Sequence, residues 1–152
     1  MTDPSPEAQL AGFLARFAPE VEATATRAIE ILRERLPGAF VLVYDNYNAL
    51  AVGFGPNART SEAVFSIAVF PRRPSLCFIQ GASLADPDGL LRGGGNQVRN
   101  VILDTPEVLD DPRVVALMDA ALAASPNPIP SAPPGPLIIK SISAKQRPRR
   151  PG

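Results

Sequence analysis

One short run, from position 44 to position 48, places a carboxylate, two amides and both tyrosines of this chain in five consecutive positions. Together with an amide and a guanidinium further along, these groups could line a polar cleft for a small ligand. The candidate binding residues are Tyr44, Asp45, Asn46, Tyr47, Asn48, Gln80 and Arg99. The alternative to a binding site is that the residues at 45–48 only form a turn, because Asn and Asp are favoured in tight turns between strands.

A second candidate is the glycine-rich stretch GASLADPDGLLRGGGNQVRN at positions 81–100. It lacks the Gly-Lys-Ser/Thr ending of a phosphate-binding P-loop. A dinucleotide fingerprint is also excluded, since a strand is predicted after the glycines where that motif requires a helix. Two interpretations stay open: a strand-to-strand turn, or backbone amides that bind an anion with Arg92 or Arg99. The motif residues concerned are Gly81, Asp86, Gly93 and Gly95.

Carboxylates along one predicted helix suggest a third chemistry. Glu20, Glu30 and Glu34 could bind iron, a hard cation that suits oxygen ligands. The alternative is that Glu30 and Glu34 form i,i+4 pairs with neighbouring arginines on a solvated helix face. We therefore expect no cofactor, with iron as the alternative.

The absence of histidine and the single cysteine, Cys77, restrict the chemistry further. Ser/His and Cys/His catalysis, His-ligated metals, zinc fingers and intramolecular disulfides are all excluded. We accordingly predict a protein without catalytic residues. No apolar run reaches the roughly 20 residues of a membrane span, and the acidic start is not a signal peptide, so a cytoplasmic location is expected.

Charge is distributed unevenly, although the formal net charge is zero. Residues 1–124 contain all 15 acidic residues and 10 arginines, whereas residues 125–152 contain five basic residues and no acid. The acidic body disfavours nucleic acid as a partner. An unknown small molecule or protein is the expected partner, and the sequence leaves the oligomeric state open.

Periodicity and turn residues predict an α+β domain over residues 1–124. Helix is expected over 6–36, divided at Pro19, and again over 105–124. The predicted strands are 39–44, 49–54, 63–70, 75–80 and 97–103. This order predicts a two-layer sandwich, in which the N-terminal and C-terminal helices pack on one face of an antiparallel β-sheet.

After residue 124 the composition changes. Residues 125–136 form a Pro-rich linker that cannot be helical, and residues 137–152 form an extended basic tail. Within the basic tail, LIIKSIS (137–143) could add a short strand to a sheet edge, in its own chain or in a second copy. The final residues, AKQRPRRPG, are expected to be a solvated basic end.

The central motif resembles that of the YdhG-like family, a bacterial domain of unknown function. It consists of Phe78, Gly81, Leu84, Asp86-Pro87, Leu90-Leu91, Gly93, Gly95 and Arg99. The resemblance extends to Phe17-x-Pro19, to Tyr44-Asp45-x-x-Asn48-Ala49 and to the end IKSISAKQRPRR, and so covers nearly the whole chain. It implies helices packed on an antiparallel sheet, and a frataxin-like iron chaperone as one described activity. Asn100 stands where many members carry histidine.

Overall fold

The computed structural model describes residues 4–133 and 135–151, which form three α-helices and one six-stranded sheet. The predicted α+β class is confirmed. The helices are α1 (Pro6–Leu14), α2 (Pro19–Arg35) and α3 (Pro112–Ala124). The strands are β1 (Phe40–Asp45), β2 (Leu50–Gly55), β3 (Phe65–Val69), β4 (Pro74–Phe78), β5 (Arg99–Ile102) and β6 (Leu137–Ile142). Short 3₁₀ turns lie at Thr60–Glu62, Gly81–Ser83 and Pro106–Asp110.

The helices begin where the sequence supplies start signals. The Ser5 hydroxyl accepts a hydrogen bond from the Ala8 backbone N–H at 3.1 Å and so caps α1. Pro19 opens α2, with acidic residues in the first turn and Arg33 and Arg35 in the last, as the helix dipole favours. No helix within the described ranges is long and apolar enough to cross a membrane.

The sheet has the strand order β5-β4-β3-β2-β1-β6. Each neighbouring pair from β5 to β1 is antiparallel, but β6 pairs with β1 in parallel. The prediction of a purely antiparallel sheet is therefore wrong, and the sheet is mixed. The physical reason is the long connection through α3 and the Pro-rich linker, because only a crossover of this length lets a strand return in the parallel direction.

Alternate residues of the strands form one buried face. Register aligns Val41 with Phe54, Phe54 with Phe65, and Phe65 with Phe78 in a row across four strands. Val41 is 2% exposed and the three phenylalanines 0%, and the apolar stripe of α2 belongs to the same core. Burying each such side chain contributes roughly 1.5–3 kcal/mol, which fixes the strand register.

The Pro-rich linker runs alongside the start of β1, and β6 begins directly after it. The Gly135 N–H donates to the Pro37 carbonyl at 2.9 Å, and the Val41 N–H donates to the Pro136 carbonyl at 2.9 Å. At Gly38 a Cβ atom would lie 1.9 Å from the Pro130 carbonyl oxygen, so only glycine allows the two backbones to approach this closely. The linker thus directs β6 onto the free edge of β1.

Candidate functional site

A buried ion pair joins the β1–β2 turn to the end of the chain. Asp45 is 2% exposed and Arg149 is 4% exposed. The Arg149 Nη2 donates to Asp45 Oδ1 at 3.0 Å and to the Asn46 carbonyl at 2.6 Å. The Arg149 guanidinium also lies 5.7 Å from the centroid of the buried Phe17 ring. Asp45 therefore anchors the basic tail. The prediction that Asp45 lines an open cleft for a small ligand is not met, because its carboxylate is buried against Arg149.

Further hydrogen bonds hold the basic tail along the same turn. The Ser143 N–H and the Gln146 side-chain amide donate to the Asp45 carbonyl, at 2.8 and 3.0 Å. The Arg147 N–H donates to the Tyr47 carbonyl at 2.9 Å. We expected the residues after β6 to be a solvated end, and the burial of Arg149 corrects this expectation. The sequence could not reveal that Arg149 pairs with Asp45, because the two residues lie about a hundred positions apart in the chain.

The docked tail forms one wall of a depression that we call the arginine groove. Its volume is about 820 Å³, and it is lined by Asn48, Phe70, Arg72, Arg147, Arg150 and three prolines. Asn48 comes from the β1–β2 turn, Phe70 and Arg72 from the β3–β4 turn, and the other two arginines from the basic tail. Three segments distant in sequence thus meet at one end of the sheet.

The arginine groove is strongly positive. Its lining includes three arginines and no carboxylate. Within residues 4–133 and 135–151, no ion pair involves Arg72, Arg147 or Arg150. The adjacent Arg73 differs, because its Nη1 lies 3.1 Å from Asp104 Oδ1. Unneutralised guanidinium groups along one groove favour an anionic ligand.

Two of the seven predicted binding residues lie far from this groove. Pairing across the sheet places Arg99 level with Val41, at the opposite end of the strands from Asp45. Four residues along a strand correspond to about 13 Å, and three strands, β2, β3 and β4, lie between Arg99 on β5 and Asp45 on β1. The seven residues therefore do not form the single cleft that we expected. Among the other predicted residues, the Tyr44 hydroxyl forms a hydrogen bond with the Thr60 hydroxyl.

Gln80 instead borders a smaller cavity of about 290 Å³. This cavity lies between the two 3₁₀ turns Thr60–Glu62 and Gly81–Ser83 and the C-terminal end of α3. Its lining is mainly apolar, with polar side chains from Ser61, Glu62, Gln80, Ser83 and Ser125. The amides of Asn57 and Asn127, together with the Arg59 guanidinium, lower the pKa of Glu62. Its charge is thus already compensated from within the protein.

The polar groups of the glycine-rich stretch form hydrogen bonds with one another. The Asp86 carboxylate accepts the Leu90 and Leu91 N–H groups at 2.9 and 3.0 Å. The Arg99 Nη1 donates to the Gly95 and Val98 carbonyls at 2.7 and 2.9 Å. A Cβ atom on Gly81 would lie 2.6 Å from the Arg99 Cβ. These contacts place Gly81, Asp86, Gly95 and Arg99 in a turn held by its own hydrogen bonds and packing, and Gly93 contributes a backbone φ of +117° to the same turn.

Replacing Gly93 by alanine should therefore destabilise this turn, whereas replacing Gly95 should not. Gly93 has a φ of +117°, while a Cβ on Gly95 would meet nothing within 4 Å. The strained backbone of Gly93→Ala should lower the free energy of unfolding by about 1–3 kcal/mol. Urea denaturation of both variants measures the difference. Equal stability of the two variants would contradict this explanation of Gly93.

Two of the three helix carboxylates proposed for iron are paired with an arginine. Arg27 Nη1 lies 3.8 Å from Glu30 Oε1 and 3.2 Å from Glu34 Oε1. Glu20 lies at the opposite end of α2, ten positions before Glu30, or about 15 Å along the axis. In the part of the chain that the structure describes, no three Asp, Glu or Cys side chains are grouped to hold a metal ion.

Cys77 lies on β4 and is partly buried. Burial raises the pKa of its thiol to about 11. Because the thiolate is the nucleophilic form, this cysteine is almost fully protonated and unreactive at neutral pH. The geometry therefore agrees with the interpretation of Cys77 as a small apolar residue of the sheet.

The sequence does not by itself identify Phe70, Arg72, Arg147 and Arg150 as site residues. One signal was present: the last 28 residues carry five basic groups and no acid. That charge pattern indicates an anion-binding surface only once the docking position of the basic tail is known.

The turn at Asp45 and the glycine-rich turn both lie in segments that carry the YdhG-like resemblance. Compared with protein-family models, curated proteins and solved structures, the chain matches none of them. Membership of the YdhG-like family accordingly stays a prediction based on those motifs.

Proposed function

We propose that this protein is a non-catalytic binding module whose arginine groove takes a small anionic ligand. The observation that carries the proposal is the set of three arginines that line the groove with no carboxylate among the lining residues. Guanidinium groups bind phosphate and carboxylate oxygens through paired, charge-assisted hydrogen bonds. A groove of about 820 Å³ also falls within the size range of small-molecule sites.

Two of the arginines are held in place before any ligand binds. The Arg147 guanidinium lies 5.7 Å from the centroid of the Tyr47 ring, within the range of a cation–π contact. The Arg150 Nε donates to the Arg16 carbonyl at 3.2 Å and leaves its two terminal nitrogens for other partners. Such preorganisation reduces the entropy lost when a ligand binds.

The surrounding charge supports selectivity for anions. Residues 1–124 carry a net charge of −5, while the basic tail supplies two of the three arginines of the groove. An isolated positive groove on an acidic body attracts small anions but repels large polyanions such as duplex nucleic acid. A small anion is therefore the ligand class that this arrangement favours.

The proposal also includes the expected layer arrangement, cellular location and family of the protein. We infer a two-layer arrangement with the helices on one face of the sheet, since α2 contacts β3 and β4 through the buried face. A cytoplasmic location and membership of the YdhG-like family complete it. The iron-carrier alternative through Glu20, Glu30 and Glu34 has weaker support because Arg27 occupies two of these carboxylates. Ferrous iron binding would test it directly.

Replacing Arg72 by glutamine should weaken the binding of pyrophosphate about tenfold, because a charge-assisted hydrogen bond is lost. Isothermal titration calorimetry at low salt measures the affinity. Arg73→Gln is the matched control, since Arg73 is the next residue in the same turn but pairs with Asp104. Wild-type protein that binds no pyrophosphate, or two variants that bind equally well, would contradict the proposal.

A further inference from the structure

An exposed aromatic side chain accompanies the arginines of the groove. Phe70 is 43% exposed and lines the arginine groove, and Tyr47, 48% exposed, packs against Arg147 beside it. Among the described residues only four large hydrophobic side chains are exposed to this degree, and these two lie at the same site. Exposed apolar groups gathered beside charged ones are typical of ligand-binding surfaces.

The fold holds Phe70 and Arg72 in a fixed relation. Both lie in the tight turn after β3, where the Phe70 N–H donates to the Arg73 carbonyl at 3.4 Å. Pro71 stands between them, and Pro148 and Pro151 line the groove beside Arg147 and Arg150. Because proline fixes its own φ, these segments offer a stiff apolar surface flanked by guanidinium groups.

The combination of an aromatic face with several arginines narrows the ligand class. A phosphate group fits the forked guanidinium donors, and a planar ring can stack on an exposed phenylalanine. A peptide would need an acidic side chain and an aromatic one side by side to match these groups, whereas a nucleotide carries a phosphate and a planar ring in one small molecule. The chemistry of the groove therefore favours one molecule that carries both a phosphate and a planar ring.

We propose that the arginine groove binds a nucleotide, with its phosphate on Arg72, Arg147 and Arg150 and its base against Phe70. This inference rests on the proposed function, which it deepens by naming the ligand. A free nucleotide and the 5′-phosphorylated end of a single nucleic-acid strand share this chemistry. A free nucleotide would be enclosed on one side by the basic tail, whereas a strand end would extend outward from the open groove.

Calorimetric titrations with adenosine monophosphate, inorganic phosphate and adenosine test the proposal on the full chain. The monophosphate should bind at least tenfold more tightly than either part alone, because stacking and charge pairing act together. Phe70→Leu should weaken monophosphate binding about tenfold and leave phosphate binding unchanged. Val98→Ala, which changes another exposed apolar side chain outside the groove, is the control and should alter neither affinity.

The outcomes separate this inference from the proposed function. If phosphate and the monophosphate bind equally well, or if Phe70→Leu has no effect on the monophosphate, the nucleotide inference is wrong and the anion site stands. If no phosphate compound binds, both are wrong. A 5′-phosphorylated oligonucleotide that binds as tightly as the monophosphate identifies a strand end, and weaker binding identifies the free nucleotide; the inference holds in either case.

Discussion

Replacing Arg149 by methionine is expected to lower the free energy of unfolding by about 3 kcal/mol, since it leaves the Asp45 charge buried without its main partner. Asp45 is 2% exposed, and its Oδ1 accepts the Arg149 Nη2 at 3.0 Å. The next cation, Arg16, lies 3.7 Å from Oδ2 and is half exposed, so it compensates only in part. Chemical denaturation followed by circular dichroism measures the loss.

Arg150→Met is the matched control for this prediction. Arg150 is the adjacent residue but is exposed, and its Nε bonds only to the Arg16 carbonyl. We expect this control to change stability by less than about 1 kcal/mol. The double variant Asp45→Asn/Arg149→Met removes both buried charges and should recover much of the lost stability. Equal effects of Arg149→Met and Arg150→Met would show that the buried pair does not anchor the basic tail.

Removing residues 137–152 should have a still larger effect. The truncation deletes β6, exposes the edge of β1 and removes the partner of Asp45. Loss of the buried Leu137 adds about 1.5–3 kcal/mol to the cost of the broken ion pair. For a domain of this size the melting temperature should fall by about 15 °C or more. Differential scanning calorimetry of the truncated chain measures this shift.

A synthetic peptide of residues 137–152 provides the control for the truncation. Added to the truncated chain, the wild-type peptide should restore part of the lost melting temperature by pairing with β1 and Asp45. The same peptide with Arg149→Met should restore less, because it lacks the buried contact. A truncated chain that melts at the wild-type temperature would overturn the conclusion that the basic tail is part of the folded domain.

Much of the α+β body follows from local patterns in the sequence. The alternation of Phe65, Ile67 and Val69 with smaller residues predicts β3, and its burial alternates accordingly. Pro19 and the acidic first turn predict the start of α2. These signals are reliable because they depend on residues within one or two turns of the element they define.

The parallel pairing of β6 and the burial of Arg149 could not be predicted in the same way. A Pro-rich linker does not specify where its strand returns, and an arginine followed by another arginine is typical of solvated surface. Burial of Arg149 depends on Asp45, which a local pattern identifies only as a turn residue. Long-range charge pairing of this kind has no periodic signal.

Of the predicted binding residues, Asn48 lines the arginine groove, and the Tyr47 ring lies 5.7 Å from the Arg147 guanidinium beside it. Their part in ligand binding stays a prediction. The sequence could not show that Gln80 and Arg99 lie far from the turn after β1. Their distance from it is set by the order of the strands in the sheet, which the sequence does not reveal. The groove is built by three separate segments, and only their assembly brings the arginines together.

The most direct test of the central claim is a ¹H–¹⁵N NMR titration of the full chain with pyrophosphate. Backbone and arginine side-chain signals report where an anion binds. We predict saturable shifts at Asn48, Phe70, Arg72, Arg147 and Arg150, with little change at Gln80 and Ser83 beside the smaller cavity. Saturable shifts confined to Gln80 and Ser83, or no saturable shifts at all, would contradict the claim that the arginine groove is the binding site.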